Sequence, residues 1–92
     1  MKNKFNKYCA EVMGYKEDLA GRLIKDEQFI AYSLNYNPYE DLNQMKEPFD
    51  KLNDSVFDKQ AQEFQMNVFV RGIEIEKAMR DFIISIMLIE PI

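Results

Sequence analysis

Between Phe64 and Ile89 the apolar spacing changes from two residues to about 3.6 at a single glycine, and this change constrains the fold more than any other stretch. Phe64, Met66, Val68 and Val70 alternate with Gln65, Asn67, Phe69 and Arg71, the pattern of a half-buried strand. Beyond Gly72, the residues Ile75, Met79, Phe82, Ile83 and Ile86 recur on one helical face. The spacing therefore predicts a strand over 64–71, a turn at Gly72, and a closing helix that ends near Leu88 or Ile89, before Pro91. This unit holds much of the chain's apolar weight, so the core is expected to form on it.

The preceding elements read less sharply. Residues 3–13 fit a helix with Phe5, Tyr8, Cys9, Val12 and Met13 on one face, Asn3 as its cap and Gly14 as its left-handed end. Residues 15–34 fit either a helix over Glu17–Lys25, with Leu19 and Leu23 inward and Gly21 weakening it, or an irregular connection leading to an extended piece near Phe29–Leu34. Asn37, Pro38 and Glu40 have the spacing of an N-cap, a first-turn proline and a capping-box glutamate. Leu42, Met45, Phe49 and Leu52 then mark a helical face, which Pro48 is expected to kink or break. Asn53-Asp54-Ser55 reads as a turn, and Val56–Lys59 as a strand that pairs with 64–71. The whole is a single α+β domain over 1–92: a short antiparallel sheet or hairpin packed with about three helices in an α-β-α arrangement.

Composition removes several chemistries. The chain has no histidine and one cysteine, so Ser-His-Asp and Cys-His catalysis, an internal disulfide and ordinary zinc sites are all excluded. Its three glycines, at 14, 21 and 72, build no phosphate-binding loop. Glu74 and Glu76 point apart on a helix, and Asp50, Asp54 and Asp58 are four apart but the turn at 53–55 is expected to end the helix among them, so no carboxylate pair is evident. The expectation is a protein that is not an enzyme and uses no cofactor or metal. Net charge is −4, which disfavours direct binding of duplex DNA. Neither a signal peptide nor a membrane-spanning run is visible, so a soluble, cytoplasmic protein is expected.

Binding residues are then sought among aromatic and charged positions. Tyrosine offers contact area with a polar tip, and aromatics also stack unpaired bases. Phe29, Tyr32, Tyr36 and Tyr39 form the aromatic-rich piece, with burial under the second helix and exposure at an interface both open. Tyr36 and Tyr39 with Glu40, Asp41, Glu47 and Asp50 make the first candidate face for a partner. Lys2, Lys4 and Lys7 make a second, expected on a different edge. Phe69, on the polar side of its predicted strand, and Arg71 make a possible exposed anchor. Each has an ordinary alternative as a solvated or packed surface.

With these motifs in place, the chain resembles small phage and prophage proteins described as phage ABA-sandwich proteins. Met13-Gly14-Tyr15 after a first helix, Tyr36-Asn37-Pro38-Tyr39-Glu40-Asp41 entering a helix with Gln44 and Met45, and Phe64–Arg71, Gly72 and a closing helix with Ala78 carry the resemblance in that order. It departs at Tyr15, where tryptophan is usual, in having no tryptophan, and at Pro48. The resemblance implies an α–β–α arrangement, a phage origin and an infected bacterial host as the setting, and it implies no catalytic residues. By analogy of size and origin it suggests an anti-CRISPR-type inhibitor that blocks a host nucleic-acid defence complex by stoichiometric binding. A small phage structural or accessory protein acting through self-association, as a homodimer, is the alternative.

Overall fold

The computed structural model describes residues 1–54 and 57–89. In chain order it has α1 (Lys2–Met13), strands β1 (Lys16–Glu17), β2 (Arg22–Lys25) and β3 (Gln28–Tyr32), a 3-10 turn (Ser33–Asn35), and then α2 (Leu42–Asn53), α3 (Asp58–Phe69) and α4 (Ile75–Ile89). The class is α+β: a three-stranded antiparallel sheet in the order β1-β2-β3 with four helices.

The sheet lies in the first half of the chain, where a helix over Glu17–Lys25 was one expectation. Two features favour strands there. Gly21 takes a positive φ of 76° in the β1–β2 turn, which helical residues do not adopt. Asp18 accepts hydrogen bonds from the backbone N–H of Ala20 and of Arg22, both at 2.9 Å, so its carboxylate closes the turn. The expected extended piece near Phe29 is β3.

The predicted strand over 64–71 is instead the C-terminal half of helix α3 and the turn after it. The same residues carry a second period: Phe57, Ala61, Phe64 and Val68 are spaced four, three and four apart, and each is half-buried. Lys59, Gln60, Ala61, Gln62 and Glu63 are good helix formers, and α4 supplies the surface that α3 packs on. The expected strand at Val56–Lys59 fails for the same reason, because Asp58 and Lys59 open α3, while Ser55 and Val56 lie outside the described residues. Gly72 does turn the chain, with φ 68°, and α4 runs to Ile89; Pro91 is outside the described residues.

Helix ends also shift. Gly14 closes α1 in the left-handed conformation, as its position suggested, but the cap position is Met1 and no side chain caps α1. At α2 the capping residue is Asp41, not Asn37; its carboxylate accepts from the N–H of Asn43 (2.9 Å) and of Gln44 (3.3 Å). Asn37–Asp41 forms a separate turn, closed by the N–H of Asp41 donating to the Asn37 carbonyl at 2.9 Å. Pro48 denies the Gln44 carbonyl its usual donor, yet α2 continues to Asn53 with the proline ring buried.

The core sits where α4 meets α1 and α2. Phe5, Cys9, Met45, Ile83 and Ile86 are shut off from solvent, and Phe82 packs its ring against Phe49 at 5.0 Å and Phe64 at 6.0 Å. Ala78, Met79, Phe82, Ile83 and Ile86 line the buried face of α4, as its spacing predicted, although Ile75 is exposed. Leu23 is the strand residue that enters this core among those described. The molecule is elongated, 44 × 23 × 20 Å.

Candidate functional site

The aromatic-acidic approach to α2 is held by hydrogen bonds and ring packing. Asn6 on α1 donates from Nδ2 to Asn37 Oδ1 (3.1 Å) and accepts from the N–H of Tyr39 (2.9 Å), so α1 clamps the turn. Gln44 Oε1 accepts from the Asn37 N–H at 2.6 Å, and Asn37 Nδ2 donates to Glu40 Oε2 at 3.0 Å. Tyr39 meets the Phe5 ring edge-to-face at 5.2 Å, and Arg80 lies 4.8 Å over its ring. Arg80 also donates from Nε to the Tyr39 carbonyl (3.0 Å) and from Nη2 to Glu76 (3.0 Å). Arg80 was not singled out by sequence, because an arginine on a helix has no local signal for what it reaches across the fold.

Tyr36 is only 9% exposed, and its hydroxyl is buried without a hydrogen-bond partner. Burial, reinforced by nearby Cys9, Tyr15 and Glu47, pushes its phenol well above the ordinary value. Tyr15 is also raised, through burial first and then the charge and hydrogen bond of Glu47. Tyr36 and Tyr39 therefore belong to the scaffold, and Glu47 is engaged by Tyr15. Glu40, Asp41, Glu47 and Asp50 are exposed, but so are Lys46 and Lys51 on α2, which makes the charge mixed.

The two charged faces also meet. Lys2 Nζ lies 3.4 Å from Glu40 Oε1, because α1 packs on α2. Hydrogen bonding from Asn37, followed by the charge of Lys2, holds the Glu40 carboxyl below the usual carboxylate range. Lys4 and Lys7 are exposed on α1. The basic and acidic edges therefore adjoin at Lys2 and Glu40. Lys7 also borders a cleft of about 380 Å³ between α1 and the sheet, together with Asn3, Glu11, Tyr15, Glu17 and Ser33.

Phe69 is placed differently. It ends α3, 81% exposed, next to Val70 at 73%. Met66 is also exposed, so positions i, i+3 and i+4 form one apolar face at the helix end, and exposed Ile75 follows the turn. The turn is pinned. The N–H groups of Val70 and Arg71 both donate to the Met66 carbonyl at 2.9 Å, and the N–H of Ile73 donates to the Asn67 carbonyl at 2.8 Å. Arg71 Nη1 donates to Glu63 Oε1 and Asn67 Oδ1, each at 2.6 Å, and so lies back along α3. Of the two residues in the predicted anchor, Phe69 projects and Arg71 braces.

Reactive groups are subdued. Burial pushes the Cys9 thiol up to about 12, which starves it of thiolate. The Asp18 carboxyl is held low, chiefly by the backbone N–H of Arg22. Among the described residues no group of three or more His, Cys, Asp or Glu could hold a metal ion, and no helix is long and apolar enough to cross a membrane. No family model, curated protein or solved structure matches this chain.

Proposed function

We propose that this protein is a non-catalytic binding protein that occupies a surface of a macromolecular partner, anchored by Met66, Phe69 and Val70. The observation that carries this reading is the pair Phe69 and Val70, left 81% and 73% exposed on a turn held by the N–H groups of Val70, Arg71 and Ile73 and by the Arg71 side chain. A large apolar side chain on a braced turn loses little freedom on docking, which favours its use as an anchor. The partner class to test is a host nucleic-acid defence complex, a CRISPR effector first, by analogy of size and origin with small phage proteins. The net charge of −4 suits approach to a basic nucleic-acid channel.

The test is affinity capture from a bacterial host lysate with wild type, Phe69→Ala and Arg71→Ala as bait. A hot-spot residue costs about 2 kcal/mol or more when truncated, about thirtyfold in affinity. Phe69→Ala is expected to lose what wild type retains, and Arg71→Ala to keep it with weaker affinity. Equal retention by wild type and Phe69→Ala would reject the anchor.

A further inference from the structure

We propose that the cleft of about 380 Å³ between α1 and the sheet is a binding site for a small zwitterion, a free α-amino acid with an apolar side chain. The proposal is independent of the Phe69 anchor, which lies on α3.

The cleft forms because α1 turns one face toward the sheet without filling the space between. Asn3, Asn6, Lys7, Ala10 and Glu11 border it at helical spacing, and Ala10 contributes only a methyl group. Leu23 of β2 and Tyr36 line it from the other side. Ala10, Leu23 and Tyr36 are buried, so the bottom of the cleft is apolar. The walls are tied together. The N–H of Tyr15 donates to the Ala10 carbonyl at 2.9 Å, and the N–H of Ser33 donates to the Gly21 carbonyl at 2.8 Å. Tyr15 meets the Tyr36 ring edge-to-face at 5.7 Å. A cleft held open in advance spends little ordering free energy on binding. Its volume lies at the small end of the range for ligand pockets, about 300–1,000 Å³, and gives room for a single amino acid.

Three charges border the cleft: Lys7 and Glu11 on α1, and Glu17 on β1. Lys7 and Glu11 stand four residues apart, neighbours at about 6 Å on a helix surface. Two other opposite-charge pairs at this separation are closed, Arg22 with Asp18 at 2.8 Å and Arg80 with Glu76 at 3.0 Å. Lys7 and Glu11 make no ion pair among the described residues. Their ammonium and carboxylate are open side by side, and an α-amino acid carries the complementary carboxylate and ammonium on one carbon. Glu17 accepts from Ser33 Oγ at 2.8 Å and adds negative charge from the sheet side. Two carboxylates against one ammonium disfavour a phosphate or a nucleotide, and Lys7 disfavours a bare cation. A zwitterion meets both signs, with its side chain over Ala10, Leu23 and the Tyr36 ring.

The experiment is titration of the full chain with L-leucine, followed by backbone amide chemical shifts. N-acetyl-L-leucine, which lacks the ammonium, and L-leucinamide, which lacks the carboxylate, are titrated in parallel. L-Leucine is expected to shift the amides of Ala10, Glu11, Tyr15, Leu23 and Ser33 and to saturate with a Kd below about 1 mM. Each derivative is expected to bind about tenfold more weakly, the loss of one charge-assisted contact. Lys7→Met is expected to weaken leucine to the same extent and leave leucinamide unchanged. Glu11→Gln is expected to weaken leucine and leave N-acetyl-leucine unchanged. Both variants are expected to keep the wild-type circular dichroism spectrum, since neither side chain is in the core. No saturating shift with L-leucine, shifts confined to residues outside the cleft, derivatives that bind as tightly as leucine, or tighter binding of inorganic phosphate would each overturn the proposal.

Discussion

Phe82 and Tyr36 are both buried aromatics, and they make opposite predictions. Phe82 completes a three-ring cluster with Phe49 and Phe64 and is 3% exposed. Phe82→Ala is expected to cost about 3–5 kcal/mol in denaturant unfolding, through lost transfer energy and a residual cavity. An unchanged midpoint would remove the α4 face from the core. Tyr36 buries a hydroxyl with no partner, a desolvation penalty of about 1–3 kcal/mol. Tyr36→Phe is therefore expected to stabilise the fold by about 1 kcal/mol, and destabilisation would show that the hydroxyl is satisfied. The pH dependence follows from the same burial. Cys9, Tyr36 and Tyr15 are all raised above their ordinary values in the folded chain. As pH rises above the unfolded-state values, about 8.5 for cysteine and about 10 for tyrosine, the unfolded chain loses protons that the native one keeps. Stability is then complete below that range and falls through it, up to about 12 for Cys9. Unfolding midpoints that stay level from pH 8 to pH 11 would contradict the buried cluster. Sequence periodicity identified Phe82 because its neighbours repeat at helical spacing. It left Tyr36 open because a tyrosine suits either a core edge or an interface.

Among the elements, α4 was legible and α3 was not, for one physical reason. An isolated apolar run records its own spacing, whereas 57–70 satisfies period two through Phe64, Met66, Val68 and Val70 and helical spacing through Phe57, Ala61, Phe64 and Val68. The choice between them depends on what lies opposite, and here that is a helix. The sheet was obscured because its strands are short and a bulge breaks alternation at Ile30. The start of α2 was displaced by four residues because Asn37 makes a genuine turn of its own before Asp41 caps the helix. Asp41→Ala is expected to cost about 1 kcal/mol by freeing the N–H groups of Asn43 and Gln44, with Asn37→Ala acting instead on the clamp to Asn6 and Glu40. Thermal or denaturant melts of Asp41→Ala that match wild type would place the cap elsewhere. Carbon chemical shifts over 58–69 are expected to be helical throughout, and strand-like values at 64–69 would restore the strand reading.

At the scale of the molecule, a helical core carries the sheet at one side and, among the described residues, the uncovered apolar surfaces include the α3 end and the outer sheet face. The first was partly legible, since Phe69 interrupts a polar row in the sequence. The second was not, because Phe29 and Tyr32 share a face only through the bulge. The charged faces read from sequence adjoin at one point, where the packing of α1 on α2 brings Lys2 to Glu40. Binding by occupation rather than turnover is the central claim, and stoichiometry tests it most directly. A CRISPR effector, the proposed target, is titrated with the protein at an effector concentration well above the dissociation constant, and target-DNA cleavage is followed. The account predicts a linear fall that ends near one equivalent, with Phe69→Ala shifted to higher ratios. Complete inhibition far below one equivalent, or cleavage unaffected by a large excess, would contradict it.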